Sequence, residues 1–381
     1  MEKTLKDCRV KIDSIDEQLI KLLDERMRVA EDIAAIKREE GRPVADLIRE
    51  REKLQKIEES SAPDMAAYNR ILWNSIMELS KDHQMQAASE ETPLVKEIRH
   101  AIESTEKVFP ETAAVACQGV PGAYSETACG KFFKMPRIMF VKSFEGVFSA
   151  INSGLCRYGV LPLENSTAGS VNKVYDLMMK YDFHIVKSAR VKINHCLLAL
   201  PGAKLSGIRE IRSHEQALAQ CENYLKRFPG ALITPCENTA AAAKYVAESG
   251  RTDIAAVGSE ENGRLYGLEC LDHGIQDSQN NYTRFICISK DLEIYPGACK
   301  TSIMMTLDHK PGSLYNVLAR FNAAGINLEK LESRPLPDRD FEFMFYFDIG
   351  ETVYSDGFIR MMNQLEEVSR QFKYLGSYSE V

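Results

Sequence analysis

The sequence predicts a multidomain protein, all-α at the N-terminus, α/β in the centre and ferredoxin-like α+β at the C-terminus. Three observations carry this. No glycine occurs between Met1 and Gly41, and apolar residues there recur at spacings of three and four, the mark of a helix face. From about Thr112, short β-rich runs, HCLLAL among them, alternate with helical stretches such as 143–152, 214–227 and 239–248, the pattern of an α/β sheet with mostly parallel strands. From about Lys300 the order reads βαββαβ, with strands over 301–307, 326–333, 341–349 and about 371–378. The expected boundaries are 1–90 for the helical region, 91–111 for a linker, 112–295 for the α/β region and 298–381 for the last.

Composition narrows the function classes. The chain has 381 residues, 44% hydrophobic and 27% charged, with a formal net charge of −7. Interspersed charges of both signs argue against a general nucleic-acid partner. No run of 18 apolar residues is present, so no membrane span is expected, and the charged N-terminus lacks the apolar core of a secretory signal. The ten cysteines form no C-x-x-C pair and read as free thiols in a reducing cytosol. The seven histidines lack short-range ligand spacing, so no metal site is expected.

In the N-terminal region, helices are expected over about 5–40, 45–60 and 63–84. Ile12, Ile15, Leu19, Leu22, Val29, Ile33 and Ile36 make the apolar stripe of the first. Arg26 fills a gap in that stripe, and Lys37 follows 11 residues on, in nearly the same direction. A buried cation needs an anionic partner. Taken alone, the pair fits a structural salt bridge as well as an anion site. Asp46, Arg49 and Glu50 open the second helix, and Ser80 and Gln84 lie one turn apart on the third. Arg9 lies 17 residues before Arg26, roughly 26 Å along a helix. It reaches the same small anion only from a second, antiparallel copy, which predicts a dimer with shared sites.

In the central region, CQGVPGAYSETA (117–128), LPLENSTAGSVNKVYDLM (161–178), SHEQALAQC (213–221), CENTAAAAKYVAESG (236–250) and NNYTRFICIS (280–289) place polar side chains at expected strand ends and helix starts. Ligands of open α/β sheets bind there. Ser213 and Thr239 also read as plain helix N-caps.

The set Arg9, Arg26, Lys37, Asp46, Arg49, Glu50, Ser80 and Gln84, with DERMRVAEDIAAIK and RPVADLIREREKL, resembles the all-helical chorismate mutases. The resemblance implies rearrangement of chorismate to prephenate, which needs a compact bound dianion and stabilised charge on the breaking ether oxygen. It assigns the carboxylates to Arg9, Arg26 and Arg49, and the ether oxygen to Lys37 and Gln84. Asp46, Glu50 and Ser80 take hydroxyl or backbone-side groups. A neutral donor at Gln84 implies activity near neutral pH.

GAYS, ENSTAGSV, SHEQALAQC, YGLE and TRF together resemble the prephenate dehydratases, whose fold is two α/β lobes with the active site in the cleft. The reaction removes CO₂ and water from prephenate to give phenylpyruvate, with no cofactor. By resemblance Thr283 assists hydroxide departure, and Glu164, Asn165, Ser213, Gln220 and Glu237 occupy functional positions. Arg284 fits either a substrate carboxylate or a hinge salt bridge.

HKPGSLYNVLARFNAAGINLEKLESRP (309–335) resembles an ACT regulatory domain. That implies phenylalanine bound by the turn Gly312, Ser313, Leu314 and by Glu332, Ser333, Arg334 and Pro335, at an interface between two copies. Ser313 and Tyr315 depart from the commoner Ala and Val. The combined expectation is a cytoplasmic homodimer or homotetramer that makes phenylpyruvate from chorismate under phenylalanine feedback. Rival readings are a chain with one live activity, an arogenate dehydratase, and a non-enzymatic sensor.

Overall fold

The structure, a computed structural model, describes residues 4–42, 46–88, 92–336 and 342–381. The expected helix start at Ala45 and strand start at 341 lie outside the described residues. By internal contacts the chain divides into two compact units, the first comprising 1–96, 307–326 and 355–371, the second 97–306, 327–354 and 372–381.

The first unit is helical. Helix Leu5–Glu39 begins at a capping box in which the Thr4 hydroxyl accepts from the Asp7 amide and the Asp7 carboxylate accepts from the Thr4 amide. That satisfies two otherwise orphaned helix-start donors. The chain leaves the helix through Gly41, whose φ of 64° suits glycine. Asp46 caps the next helix, Leu47–Ser60, accepting from the Arg49 amide at 3.0 Å. Helix Ala66–Ala88 lies against the other two. On the first helix only Ala30 and Ala34 are buried, small residues that let the third helix approach closely. The expected core stripe is not core within one chain: Ile12, Ile15, Leu19, Leu22, Val29, Ile33 and Ile36 are all exposed, because the two shorter helices cover only part of the long one. Helices Ser313–Ala323 and Asp356–Val368 belong to this unit.

The second unit holds two sheets. The smaller orders its strands as Glu269–His273, Cys196–Ala199, Ile254–Gly258, Glu210–His214 and Leu232–Cys236. The larger runs Asn327–Pro335, Phe343–Gly350, Lys300–Thr306, Gln371–Glu380, His184–Lys192, Tyr282–Ser289, Tyr158–Asn165, Ala114–Gln118 and Arg137–Val141, with Gly169–Ser170 beside Tyr158–Asn165. The strands are less uniformly parallel than the sequence predicts. Tyr282–Ser289 is antiparallel to both neighbours, as the return strand of a chain that visits a second sheet and comes back. The expected helix over 214–227 breaks into Glu215–Ala219 and Glu222–Leu225.

The C-terminal strands follow the expected positions within a few residues. Their sheet, however, does not end there. Strand Gln371–Glu380 pairs parallel with His184–Lys192 at Ser379 with Lys187 and Glu380 with Ser188. The close approach depends on Gly376 (φ 133°), where a Cβ would stand 2.4 Å from the Ile185 carbonyl oxygen. Tyr346, Tyr378 and Leu375 share one core with Leu163, Tyr175 and Ile286. The expected linker also contains a helix, Pro93–Ser104, whose Val95, Ile98 and Ala101 are buried.

Candidate active sites

In the helical unit, Arg26 is half-buried and donates to Ser80 Oγ and, at 3.4 Å, to the Ile76 carbonyl. Burial pulls its guanidinium below the ordinary value. Ser80 and Gln84 are buried on the facing helix, and Gln84 Oε1 is enclosed with no protein partner. Glu50 is tied to the same helix by Lys81, whose Nζ lies 3.3 Å from Glu50 and 2.7 Å from Glu78. Lys37 is half-buried. The chain therefore brings Arg26, Ser80, Gln84 and, through Lys81, Glu50 into one neighbourhood. Arg9 is exposed toward the start of the long helix, Arg49 is exposed against Glu52 at 3.4 Å, and Asp46 is engaged as a cap. A separate cavity of about 650 Å³ in this unit is lined by Met27, Glu78, His83, Tyr315, Arg320 and Arg360 among others, and touches none of the predicted mutase set.

The second candidate site is a cavity of about 180 Å³ between the two sheets. Gln118, Asn165, Thr283 and Phe285 come from the larger sheet; His195, His214, Gln220 and Asn238 come from the smaller sheet and its flanking segments. Asn165 and Thr283 are directly paired on adjacent antiparallel strands. Because side chains alternate along a strand, their neighbours Glu164 and Arg284 face the other way.

Two backbone amides set the polarity of the network in the cavity. The Thr167 and Ala168 amides donate to Asn165 Oδ1 at 3.0 and 2.9 Å, so Asn165 Nδ2 must donate. It donates to Thr283 Oγ1 at 3.0 Å and to Asn281 Oδ1 at 2.8 Å. Asn281 Nδ2 then donates to Gln220 Oε1 at 3.0 Å, while Gln220 Nε2 donates to Thr167 Oγ1 at 3.1 Å. His195 Nε2, 3.0 Å from Gln220 Oε1, must therefore carry a proton. Its Nδ1 is buried and has no partner. Burial holds the imidazole below its ordinary pKa, so it is neutral at pH 7. Thr283 Oγ1 accepts from Asn165, and its own proton remains available to the cavity.

The cavity also lies at helix N-termini. Tyr124–Phe132 starts there, with Ser125 Oγ donating to the Gln118 carbonyl at 2.6 Å. Thr239–Ser249 starts there too, capped by Asn238, which accepts from the Ala241 amide at 2.7 Å. Both ends favour negative charge.

Three predicted residues are not part of this cavity. Ser213 is fully buried in a strand and donates to the Val257 carbonyl at 2.6 Å. The expected caps Ser213 and Thr239 are replaced by their neighbours His214 and Asn238. Glu237 is exposed beside Asn238. Glu164 forms ion pairs with Lys330 and, at 3.3 Å, Arg284. Burial alone would raise its pKa, but Lys330 and Arg284 hold the carboxyl below the usual range. Arg284 in turn meets Asp348 and donates to Tyr378 Oη at 2.7 Å. These pairs make it a cation between strands, and it also lines a small cavity with Glu164, Asn165 and Tyr282. Sequence reasoning missed His195, which heads a run read only as a strand, and Asn281, visible only as one polar residue before TRF.

Of the predicted effector residues, Gly312 precedes helix Ser313–Ala323 with φ 88° and makes no side-chain cap. Glu332 accepts from Ser170 Oγ at 2.7 Å, and Arg334 Nη2 lies 3.0 Å from Asp176. Ser333 and Pro335 are exposed on the same strand, which forms the edge of its sheet.

Comparison with known proteins agrees with this two-site arrangement. The family model for chorismate mutase type II matches residues 8–85, and that for prephenate dehydratase matches 115–293. The bifunctional chorismate mutase/prephenate dehydratase of Escherichia coli K12 is 32% identical, over 99% of this chain and 96% of that protein. The arogenate dehydratase/prephenate dehydratase 2 of Arabidopsis thaliana is 37% identical over 76% of this chain and 79% of its own length. Among solved structures, the prephenate dehydratase of Arthrobacter aurescens in complex with L-Phe superposes with a TM-score of 0.64 at 28% identity, covering 70% of this chain and 89% of that one. GqqA, a quorum-quenching acylase, gives the same TM-score at 31% identity, covering 70% of this chain and 98% of its own. Both catalytic regions are present in one chain whose length matches the fused enzyme almost end to end, and the protein belongs to the bifunctional chorismate mutase/prephenate dehydratase family.

Proposed function

We propose that the two reactions of the family run at the two sites described, with Thr283 as the acid of the second. Chorismate is held by Arg26 and Arg49 with Arg9 of a second copy, while Lys37 and Gln84 donate to the ether oxygen as its bond breaks. Ser80, Glu50 and Asp46 complete the pocket. The exposed apolar stripe of the long helix supports a shared site, since a second antiparallel helix would cover it.

Prephenate then occupies the cavity between the sheets, with its carboxylates toward the helix starts at Tyr124 and Thr239. Thr283 passes a proton to the departing ring hydroxyl, which leaves as water, and solvent in the open cavity returns a proton to the threonine oxygen. The C–C bond to the ring carboxylate breaks, its electron pair enters the ring, and CO₂ departs. Aromatisation drives the step. The observation that carries this reading is the Asn165–Thr283 bond, in which the hydroxyl accepts from Asn165 and keeps its own proton free for a substrate. His195, Gln220 and Asn281 hold that geometry. Glu164, Ser213 and Glu237 act from outside the cavity on this reading.

The C-terminal βαββαβ segment is read as an ACT domain. Its exposed edge strand Asn327–Pro335 is suited to pair with a second copy, and the Arthrobacter aurescens relative was solved with L-Phe. Phenylalanine would bind at Gly312, Ser313 and Leu314 with Glu332, Ser333, Arg334 and Pro335, and lower dehydratase turnover in a dimer or tetramer.

The test is conversion of chorismate by the purified chain, followed by chromatography with and without millimolar phenylalanine. Phenylpyruvate that phenylalanine suppresses supports the whole reading. Prephenate accumulating in its place removes the role given to Thr283. Calorimetry showing no phenylalanine binding removes the effector role.

A further inference from the structure

Outside both sites, one group of three side chains has the makings of a metal site. Cys196 heads the strand Cys196–Ala199, and Cys270 and His273 lie on the antiparallel neighbour Glu269–His273. A register shift between Cys270 and Asp272 turns all three toward one point. Their ligand atoms lie within 4.8 Å of one another, the one such group among the described residues. Cys196 Sγ stands 3.6 Å from His273 Nδ1. In a tetrahedral zinc site with Zn–S about 2.3 Å and Zn–N about 2.0–2.1 Å, the sulfur–nitrogen edge is also about 3.6 Å. Cys196 is buried, Cys270 half-buried and His273 exposed, so the site has a floor and an open mouth. The fourth position, at the open mouth, is left to solvent.

We propose that Cys196, Cys270 and His273 form a Cys₂His site for a thiophilic divalent cation of the zinc class, and that its occupancy rigidifies the segment carrying His195. Two thiolates and one imidazole select zinc-like ions over magnesium or calcium. Cys270 and His273 stand three residues apart on one strand, and Cys196 joins them only through strand pairing, 77 residues from His273. The link to the cavity is covalent and short. Cys196 directly follows His195. The Ile275 amide donates to the His195 carbonyl at 3.0 Å, and Gln276 Oε1 accepts from the His195 amide at 2.9 Å. A cation joining Cys196 to Cys270 and His273 therefore staples together the two segments that position this imidazole. Restricting them is expected to slow dehydratase turnover. The slowing rests on the dehydratase reading above; the metal binding does not.

The test uses the full-length chain, reduced with a phosphine, titrated with Co²⁺ and then with Zn²⁺. Wild type is expected to take up one equivalent of Co²⁺ with thiolate-to-cobalt charge transfer and tetrahedral d–d absorption, both bleached by Zn²⁺. C270S and H273A, with unchanged circular dichroism, are expected to lose these bands, while C8S and C299S keep them. No thiolate band in wild type, or an equal band in C270S and H273A, overturns the site. Zn²⁺ is expected to slow phenylpyruvate formation by wild type and not by H273A, with mutase turnover unaffected in both. Bands that follow the three ligands without such slowing retain the site and overturn its coupling to His195.

Discussion

Asn165 Nδ2 donates to Thr283 Oγ1 at 3.0 Å across two antiparallel strands. Since Asn165 Oδ1 already accepts the Thr167 and Ala168 amides, the direction of this bond is fixed. Thr283→Val keeps the shape and removes the donor. It should lower dehydratase kcat by about 10²–10⁴-fold, while chorismate consumption by the same preparation is unchanged. Thr283→Ser should retain more activity than Val, and Asn165→Ala should reduce it through misorientation. Steady-state rates on prephenate and on chorismate decide this.

Gln84 carries the second expectation. Its replacement by glutamate puts a carboxylate where a neutral donor sits, so donation to the ether oxygen requires a protonated side chain. Gln84→Glu should move mutase activity to acid pH and leave the dehydratase profile in place. A mutase profile unchanged from wild type would remove Gln84 from the reaction.

His195 is buried and held neutral, with its pKa below 6.5. A base with a depressed folded pKa binds fewer protons folded than unfolded. Its contribution to stability is thus full above pH 6.5 and is lost as pH falls toward the folded value. Dehydratase activity should accordingly persist through pH 6.5. An NMR titration of the His195 ring should show the depressed midpoint, and His195→Gln should flatten that part of the stability curve.

The Arg284–Asp348 pair is buried, with Glu164 and Tyr378 as further partners. Removing Asp348 leaves the buried guanidinium to the more exposed Glu164 alone at close range, so Asp348→Ala should cost about 3 kcal/mol, the low end for a broken buried pair, in urea unfolding. The carboxyl of Glu164 is depressed from 4.5 by Lys330 and Arg284 against the opposing effect of burial. Its stabilisation is present at neutral pH and is lost as pH falls through that lowered value. Glu164→Gln should blunt acid unfolding without changing the pH dependence near neutrality.

Gly376→Ala should be among the most disruptive small substitutions. Its Cβ would meet the Ile185 carbonyl at 2.4 Å, and φ is 133°. A loss of about 1–3 kcal/mol is expected from overpacking alone, read as a lowered thermal midpoint.

Much of this protein is local and therefore legible in the sequence. Helix Leu5–Glu39 follows from three- and four-residue spacing and a stop at Gly41, and the βαββαβ order follows from strand and turn patterns. Asn165, Gln220 and Thr283, proposed from motifs, lie in one hydrogen-bonded network. Tertiary structure decided what depends on direction and distance. Strand alternation turned Glu164 and Arg284 away from the cavity that Asn165 and Thr283 face. Chain crossing between sheets put His195 and Asn281 into that network from segments without a local signal. Parallel pairing at Ser379 and Glu380 merged the C-terminal strands with the dehydratase sheet, because a pairing partner is chosen by available backbone edges and surrounding core rather than by neighbours in sequence.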